Sequence, residues 1–398
     1  MKKLLKILAL TLAAILLLGI YPAYSLLSTS YLTAAPLSKV DPDIYTNAAA
    51  TLSNPNATQE AKDLMTYLKQ IYGKNVLSGQ YIDTYQNYDE EKFLGENGKF
   101  TILKSNELVA LQSVIGDRLP AMIGLDFSGV EYPEEWTNYV TDLAIEWHEM
   151  GGIVTFCWHW IIPDTLDISG ENSRWNAKMY TKDLPFTLNE ILADKESSLY
   201  KKLLSDIDAV AAELKTLEAA GVPVLWRPLH EAAGTWFWWG SGGAEGYKEL
   251  YNLLYTRLTE THELNNLIWV FNAQKSDWYP GDSVVDIVAD DPYPVNNMRA
   301  LYTLDRGRIN RFKYHANFAG SKMIMMSESD CLPDIDAMFA KNAVWLSFCT
   351  WMRNMVCQGD GTEYGMTNLY SEEYNSKETL QKVYNDQRVL KLSDITPR

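Results

Sequence analysis

The feature that most restricts the fold of this chain is the regular alternation of short apolar runs with amphipathic stretches. Between most of the runs, apolar residues recur at helical spacing, as in the series from Leu199 to Leu217. Eight runs fit buried strands, at residues 76–77, 121–125, 153–157, 222–226, 267–271, 284–288, 323–326 and 344–348. Strands that alternate with helices form parallel sheets, so this pattern predicts an α/β protein with one (β/α)8 TIM barrel domain. A doubly wound open sheet is the alternative, but no Gly-x-Gly-x-x-Gly turn follows the first strand.

The N-terminus has the pattern of a signal peptide, predicted at residues 1–25. Three lysines precede an apolar stretch at residues 7–20, and small residues follow at a plausible cleavage site. The stretch is shorter than the roughly 20 residues of a membrane-spanning helix, although an uncleaved anchor is the alternative. We expect a tail or linker at 26–40, a domain at 41–398, and a secreted or cell-surface protein that otherwise avoids the membrane.

Composition excludes one class of partner and favours another. The 398 residues carry a formal net charge of −16, which argues against binding to nucleic acid, because such binding requires a basic surface. The chain holds 13 Trp and 24 Tyr, and aromatic rings of this kind stack well on sugars, although a Trp-rich core is the simpler explanation for many of them. We expect a monomer that binds carbohydrate.

The four cysteines allow three full pairings, and the sequence does not choose among them. Cys157 and Cys349 lie in apolar runs and fit buried thiols, whereas Cys331 and Cys357 lie on predicted loops and are the better disulfide candidates. No Cys or His spacing typical of a metal site occurs, so we predict neither a metal nor a cofactor.

Polar and aromatic residues follow the predicted strands. They are Gln80, Asp126, His159, Trp160, Glu231, Tyr293, Glu328 and Trp351. In a barrel, the carboxyl ends of all strands meet at one rim, where active sites of this fold are built. We therefore expect these side chains to converge on one cleft.

Two of them, Glu231 and Glu328, fit the chemistry of glycoside hydrolysis. This reaction requires a carboxylic acid that donates a proton and a second carboxylate that acts as nucleophile or base. Each glutamate comes directly after an apolar run, as few other acids do. The competing acids at strand ends are Asp126, Asp290, Asp291 and Asp330. Either glutamate alone could be structural, for example paired with Arg227, but as a pair on the fourth and seventh strands they favour catalysis.

Four stretches resemble glycoside hydrolase family 26. They are NVLSGQ at 75–80, GIVTFCWHW at 152–160, WRPLHE at 226–231 and DIVADDPY at 286–293. The resemblance extends from about residue 40 to about residue 390. His230 adds to it, because this family has His before the proton donor where related barrel glycosidases have Asn. The family consists largely of endo-β-1,4-mannanases and belongs to a clan of retaining (β/α) barrel glycosidases.

The resemblance implies a role for each matching residue. Glu231 would be the proton donor and Glu328 the nucleophile, with Tyr293 bonded to Glu328. The implied substrate-binding set is His159, Trp160, Arg227, His230, Trp236, Tyr293 and Trp351, in which Arg227 and His230 support the carboxylates and Trp351 forms a stacking floor. His159 is equally compatible with a supporting role behind the site.

The implied function is that of an exported retaining endo-glycanase, which hydrolyses β-1,4-mannosidic bonds in mannan, glucomannan or galactomannan without a cofactor. Two alternatives remain. One is an enzyme of the same family for mixed-linkage β-glucan or β-1,3-xylan. The other is a non-catalytic carbohydrate-binding surface protein, against which the presence of both glutamates argues.

Overall fold

A parallel sheet carries the fold, and its strands follow one another in chain order. The computed structural model describes residues 38–83, 94–95, 98, 101–131, 139–163, 178–293, 306–351 and 375–395. The seven strands of the main sheet are β2 (Gly79–Tyr81), β3 (Met122–Asp126), β4 (Ile153–Cys157), β5 (Val224–Arg227), β6 (Leu267–Phe271), β7 (Ile287–Asp290) and β8 (Met323–Met326). A separate two-stranded parallel sheet joins β1 (Val76–Leu77) to β9 (Val389–Leu390).

Residues 344–351 close this sheet into a barrel. On one side, the backbone N–H of Leu346 donates to the carbonyl of Ile324, at 2.9 Å. On the other side, the N–H of Tyr81 donates to the carbonyl of Thr350, at 2.8 Å. The segment therefore bonds to both β8 and β2 and takes the place of an eighth strand. The predicted (β/α)8 TIM barrel is confirmed.

Ten α-helices lie in the described residues. They are α1 (Asp43–Asn47), α2 (Gln59–Ile71), α3 (Asn106–Ile115), α4 (Tyr139–Glu149), α5 (Leu188–Ala193), α6 (Ser198–Ala219), α7 (Gly243–Thr256), α8 (Arg306–Ala316), α9 (Ile335–Ala340) and α10 (Lys377–Asn385). Helix α6 buries Leu203, Ile207 and Val210, as its spacing predicts. Helix α2 begins after Thr58, whose hydroxyl accepts the N–H of Ala61 and so caps the helix.

The strands bury both of their faces, and side chains alternate between the two. In β5, Val224 and Trp226 pack toward the helices, whereas Leu225 packs inside the barrel with residues such as Ile268 and Met325. The same alternation continues past the ends of β6 and β7, where it directs Asn272 and Asp291 to the centre of the rim. Glu328 does not follow it: Met325 faces the barrel interior, so Glu328 has the outward parity, and yet its carboxylate reaches Arg227.

Several strands differ from the prediction. The predicted first strand at 76–77 forms β1 in the separate sheet, and β2 takes its place in the barrel. The bounds of β3, β5 and β7 also differ by one to three residues, and for β7 the cause is clear. We predicted the sixth run at 284–288, but β7 begins at Ile287. The buried carboxylate of Asp286 accepts the N–H groups of Ser53, at 2.5 Å, and of Trp269, at 2.7 Å. The chain therefore bonds to a side chain at this point, and the regular ladder starts one residue later.

Residues of the segment 40–57 pack onto the barrel, and the predicted domain start at residue 41 stays a prediction. Val40 is buried, and its N–H donates to the carbonyl of Lys341, at 2.8 Å. The predicted signal peptide and most of the predicted tail lie outside the described residues. Within the described ranges, no helix has the length and apolar character needed to cross a membrane.

Cys157 and Cys349 are buried free thiols, which confirms their predicted state. Cys357 lies outside the described residues, so its pairing with Cys331 stays a prediction.

Candidate active site

Arg227, at the carboxyl end of β5, lies at the centre of the candidate site. It follows Leu225 by two residues, so alternation directs it into the barrel, where it is fully buried. Its guanidinium donates to the carboxylates of Asp291, at 2.9 Å, and Glu328, at 2.6 Å, and to the hydroxyl of Tyr81, at 2.9 Å. The ring of Tyr81 fits beside β3 because Gly124 has no side chain; a Cβ there would lie 2.5 Å from the ring. One buried cation therefore joins two acids from two other strands.

Glu328 follows β8 and is almost fully buried, with 5% of its surface exposed. Arg227 donates to one of its carboxylate oxygens, and the hydroxyl of Tyr293 donates to the other. Burial, and then the charge of Glu328, raise the pKa of Tyr293 well above its ordinary value, so this hydroxyl keeps its proton as a donor. A carboxylate that accepts hydrogen bonds from two such donors has a fixed orientation.

Asp291 is the second acid on Arg227, and two further side chains donate to it. The side-chain amide of Asn272 donates to it at 2.8 Å and the hydroxyl of Ser327 at 2.5 Å. Burial raises the pKa of Asp291 to about 7, although the charge of Arg227 acts in the opposite direction. We expected Asp291 only as a competitor to the glutamates, but it is part of the same buried cluster.

Glu231 lies opposite this cluster and is partly exposed to the cleft. One oxygen from each of the carboxyl groups of Glu231, Asp291 and Glu328 lies within 4.8 Å of the other two. Burial raises the pKa of Glu231 to about 9, and the nearby charges of Asp291 and Glu328 act in the same direction. Glu231 is therefore protonated at neutral pH, whereas Glu328 has two donors for its charge. This difference is what an acid and a nucleophile require.

The loop that carries Glu231 adopts a backbone that few residues tolerate. Leu229, Glu231 and Thr235 have φ angles of 53°, 54° and 63°, in the left-handed region. Each such residue costs about 1–3 kcal/mol and persists only where the surrounding structure requires it. Here the backbone N–H of Glu231 donates to the carbonyl of Asn272, at 2.7 Å, which fixes the loop against β6.

Trp236 covers Glu231 from this loop. Its indole N–H donates to Glu231 Oε2 at 3.1 Å, while 44% of its surface remains exposed. Gly234 makes this position available, since a Cβ at that residue would lie 2.0 Å from the ring of Trp236. The exposed indole therefore lies beside the Glu231 carboxyl group, at the open side of the cleft.

His159 and His230 form a pair behind the glutamates. Asp126 accepts the Nδ1–H of His159, at 2.5 Å, and its backbone N–H, at 3.0 Å. Although burial acts to raise it, the charge and hydrogen bonds of His159 hold the pKa of Asp126 below its ordinary value. The two Nε2 atoms of His159 and His230 lie 3.1 Å apart. Burial holds the pKa of His230 well below its ordinary value, so His230 is a neutral partner.

Trp351 lies on the same rim and is partly exposed. Its ring centroid is 4.6 Å from that of Tyr81 and 5.6 Å from that of His159. The predicted residues Arg227, His159, His230, Trp236, Tyr293 and Trp351 therefore come together around Glu231 and Glu328.

Trp160 does not join them, which corrects its predicted place among the sugar-binding residues. It is fully buried, its indole N–H donates to Asp206 at 3.0 Å, and its ring stacks on Trp158 at 4.1 Å. The cause is alternation: Cys157 and His159 face the barrel interior, so Trp158 and Trp160 point toward the helices. No face of this ring is available to a sugar.

Sequence reasoning missed the contribution of β6, which is the fifth of the predicted strands. No polar residue was assigned to its end. Asn272 follows Phe271 directly and bonds Asp291. Gln274 reaches Glu231 Oε1, at 3.3 Å. The signal was present for Asn272, which comes directly after an apolar run, but not for Gln274, which lies two residues farther along. Tyr81 was missed for a different reason: its hydroxyl is functional, but its ring looks like core.

No ligand group in this cluster requires a metal to explain its position. Two trios within the described residues bring ligand-type atoms close together, namely Asp126 with Cys157 and His159, and Glu231 with Asp291 and Glu328. In the first, Asp126 and His159 bond each other. In the second, Arg227 lies between Asp291 and Glu328, where a cation would otherwise sit.

The chain matches known proteins over most of its length. The family model described as glycosyl hydrolase family 26 matches residues 53–382. A mannan endo-1,4-β-mannosidase of Thermothelomyces thermophilus is 38% identical over 87% of this chain and 63% of its own length. The chain spans 51% and 52% of two Piromyces mannan endo-1,4-β-mannosidases, so it covers about half to two thirds of these curated relatives.

Solved structures agree in fold. A Podospora anserina GH26-CBM35 β-(1,4)-mannanase is 34% identical, with a TM-score of 0.69 over 91% of this chain and 70% of that one. A β-mannanase from a symbiotic protist of the termite Reticulitermes speratus, complexed with a gluco-manno-oligosaccharide, is 28% identical, with a TM-score of 0.68 over 88% of this chain and 99% of that one. The resemblance seen in the four sequence motifs thus extends along the whole barrel, and the chain belongs to glycosyl hydrolase family 26.

Proposed function

We propose that this chain is a retaining endo-β-1,4-mannanase in which Glu231 is the proton donor and Glu328 is the nucleophile. The observation that carries the proposal is the pair of unlike carboxyl groups, one protonated and one bonded by the donors Arg227 and Tyr293, whose oxygens approach within 4.8 Å. Retaining glycosidases place their two carboxyl groups about 5–5.5 Å apart, whereas inverting enzymes need about 6.5–9.5 Å to admit a water. The short separation favours retention.

The first step breaks the bond between two sugars. Glu231 gives its proton to the glycosidic oxygen of the leaving sugar while a carboxylate oxygen of Glu328 attacks the anomeric carbon from the opposite face. The product is a glycosyl ester on Glu328. Arg227 and Tyr293 keep the attacking carboxylate aimed, and the loss of its charge is followed by relaxation of the hydrogen bonds that they donate.

The second step reverses these roles. Glu231, now a carboxylate, takes a proton from a water molecule as that water attacks the anomeric carbon, and the ester bond to Glu328 breaks. Two displacements at one carbon restore its configuration. The N–H of Trp236 stabilises Glu231 while it is charged.

The choice of mannan rests on the mannanase activity for which the relatives described above are named, together with the aromatic surroundings of Glu231. Mannose differs from glucose in its axial 2-hydroxyl, so groups around the cleaved bond must discriminate. His159 and Trp236 are the side chains in place to do so. None of the relatives described above is named for the alternatives, mixed-linkage β-glucan and β-1,3-xylan.

The test is hydrolysis of a panel containing galactomannan, glucomannan, mixed-linkage β-glucan and β-1,3-xylan. We expect fastest release from a mannan, with oligosaccharides rather than free mannose as early products. Glu231→Gln should lower the rate on mannan by about 10²–10⁴-fold and spare an aryl mannoside whose leaving group needs little protonation. Glu149→Gln, an exposed change on α4, is the matched control.

Faster cleavage of β-glucan or β-1,3-xylan than of any mannan would overturn the substrate assignment. Equal losses on both mannan and aryl mannoside in Glu231→Gln would overturn the role of Glu231.

We also propose export, with residues 1–25 as the signal, 26–40 as a linker and 41–398 as the catalytic domain. A protein recovered outside the host cell with its N-terminus near residue 26 supports this organisation. Retention of the full N-terminus in the membrane fraction contradicts it.

A further inference from the structure

We propose that Gln274 is a positioning residue for the proton donor, and that Arg311 sets its orientation. This inference rests on the proposed role of Glu231 and adds a residue that acts through it. Gln274 lies three residues after β6, and its side-chain amide is 3.3 Å from Glu231 Oε1. Trp236 bonds the other oxygen of the same carboxyl group. Two donors from two different loops therefore hold Glu231.

The orientation of the Gln274 amide follows from its second partner. Arg311 Nη2 donates to Gln274 Oε1 at 2.9 Å. A guanidinium has only donors, so the atom that faces it must be the amide oxygen, and the NH₂ group must face Glu231. Arg311 thus makes Gln274 a donor to Glu231 and prevents the flipped arrangement, in which two oxygens would oppose each other.

Arg311 is itself fixed by a buried acid. Its Nε–H donates to Asp290 Oδ2 at 2.5 Å and its Nη2 donates to Oδ1 of the same carboxylate, while His315 Nε2 lies 2.8 Å from Oδ2. Asp290 is fully buried at the end of β7. A rigid strand end therefore holds Arg311, Arg311 holds Gln274, and Gln274 holds Glu231.

The backbone supports the same conclusion. Gln274 has a φ of 68°, in the left-handed region that side chains other than glycine seldom adopt. The neighbouring Ala273 accepts the N–H of Ala233 at 3.3 Å, and Asn272 accepts that of Glu231 at 2.7 Å. The loop after β6 thus supports the loop of the proton donor at three successive residues, and the strained backbone directs the Gln274 side chain toward Glu231.

The consequence is chemical. When Glu231 gives its proton to the leaving oxygen, it becomes a carboxylate, and the N–H donors of Gln274 and Trp236 stabilise that charge. This stabilisation of the Glu231 carboxylate matters most for a sugar leaving group, which must be protonated as it departs. It matters least for an activated aryl group.

The test uses Gln274→Met, which keeps the length of the side chain but removes the amide, and Gln274→Glu, which keeps an acceptor for Arg311 but removes the donor to Glu231. Gln70→Met, on the exposed face of α2, is the matched control. We expect kcat on mannan to fall about 5–20-fold in both Gln274 variants, with a smaller loss on a dinitrophenyl mannoside. The alkaline limb of kcat/KM should move upward by about 0.5–1 pH unit, because a lost donor makes the Glu231 carboxylate harder to form.

A second readout needs no substrate. The indole N–H of Trp236 bonds Glu231, so its ¹⁵N–¹H resonance, assigned by its loss in Trp236→Phe, reports the ionisation of Glu231. Its titration midpoint should rise in both Gln274 variants, stay in place in Gln70→Met, and vanish in Glu231→Gln. Arg311→Lys should give part of the shift and add little in combination with Gln274→Met.

These readouts separate the two proposals. A wild type that cleaves no mannan contradicts the proposed function, but the midpoint still decides the role of Gln274. An unchanged midpoint in Gln274→Glu, or equal rate losses on mannan and the aryl mannoside, would overturn the role of Gln274 while the proposed function stands.

Discussion

Replacing Arg227 by methionine is the perturbation with the largest expected effect on stability. The side chain is fully buried and donates to Asp291, Glu328 and Tyr81. Methionine fills similar space without charge. The variant would leave two neighbouring acids in the barrel without their counter-charge, so the effect comes from the carboxyl groups that remain and not from a cavity.

The size of the expected destabilisation follows from the burial of the ion pairs that Arg227 forms. Removing one partner of a buried ion pair costs about 3–5 kcal/mol, and we expect this loss in the free energy of unfolding at pH 8. Asp291 has a folded pKa of about 7, above an unfolded value near 3.9. Its contribution to stability therefore falls as pH rises from about 4 toward 7. Without Arg227 the folded pKa rises further, and the fall continues to higher pH.

The difference in the free energy of unfolding between Arg227→Met and the wild type should therefore depend on pH. At pH 5 Asp291 is protonated in both proteins, so the loss of Arg227 leaves less charge unpaired. Because the wild-type pKa of Asp291 is already about 7, a further rise in the variant can add at most about 1.4 kcal/mol to the difference at pH 8. Urea unfolding of both proteins at the two pH values measures this. Arg118→Met, an exposed change, is the control and should stay within about 0.5 kcal/mol. Equal destabilisation at pH 5 and pH 8, or a loss below about 1 kcal/mol, would refute the reasoning.

Two further predictions concern Glu231. Glu231 must be protonated to act as the donor, and its pKa is raised to about 9. The value of kcat/KM on mannan should therefore fall as the pH passes about 9. A pH–rate profile whose alkaline limb lies near pH 5 would contradict this. Gly234→Ala should displace the ring of Trp236, since the new Cβ would lie 2.0 Å from it. We expect kcat/KM to fall about tenfold with little change in Tm. An unchanged kcat/KM would show that Trp236 does not position Glu231.

The barrel was predictable because its signal is repeated. Each strand is a short apolar run, each helix has an apolar face, and the errors at single boundaries do not change the order. The start of β7 was misplaced because Asp286 binds backbone N–H groups from two distant segments. Those partners are known only once the chain has folded.

The site was predictable to the extent that it depends on strand ends. Glu231 and Glu328 were predicted as a pair because both follow apolar runs, and their carboxyl groups do lie close together. Trp160 was misplaced because proximity in sequence to His159 was taken as proximity to the cleft. Alternation along β4 could have excluded it, since the parity that directs His159 inward directs Trp160 outward.

The parts that sequence could not supply are distances across the barrel. Asp290 and Asp291 are adjacent and chemically alike, yet Asp290 bonds Arg311 and His315 whereas Asp291 bonds Arg227. Only the register of β7 decides which of them enters the site. The contact of Gln274 with Glu231 joins two loops 43 residues apart and has no local signature.

The central claim, a covalent intermediate on Glu328, is tested most directly by trapping that intermediate. A β-mannobiosyl fluoride with fluorine in place of the 2-hydroxyl has a leaving group that needs little protonation, and its second displacement is slow. After incubation, peptide mapping by mass spectrometry should find the added disaccharide on Glu328, and Glu328→Gln should abolish it. A label on Glu231 or Asp291, or turnover of this compound with inversion and without a label, would contradict the account.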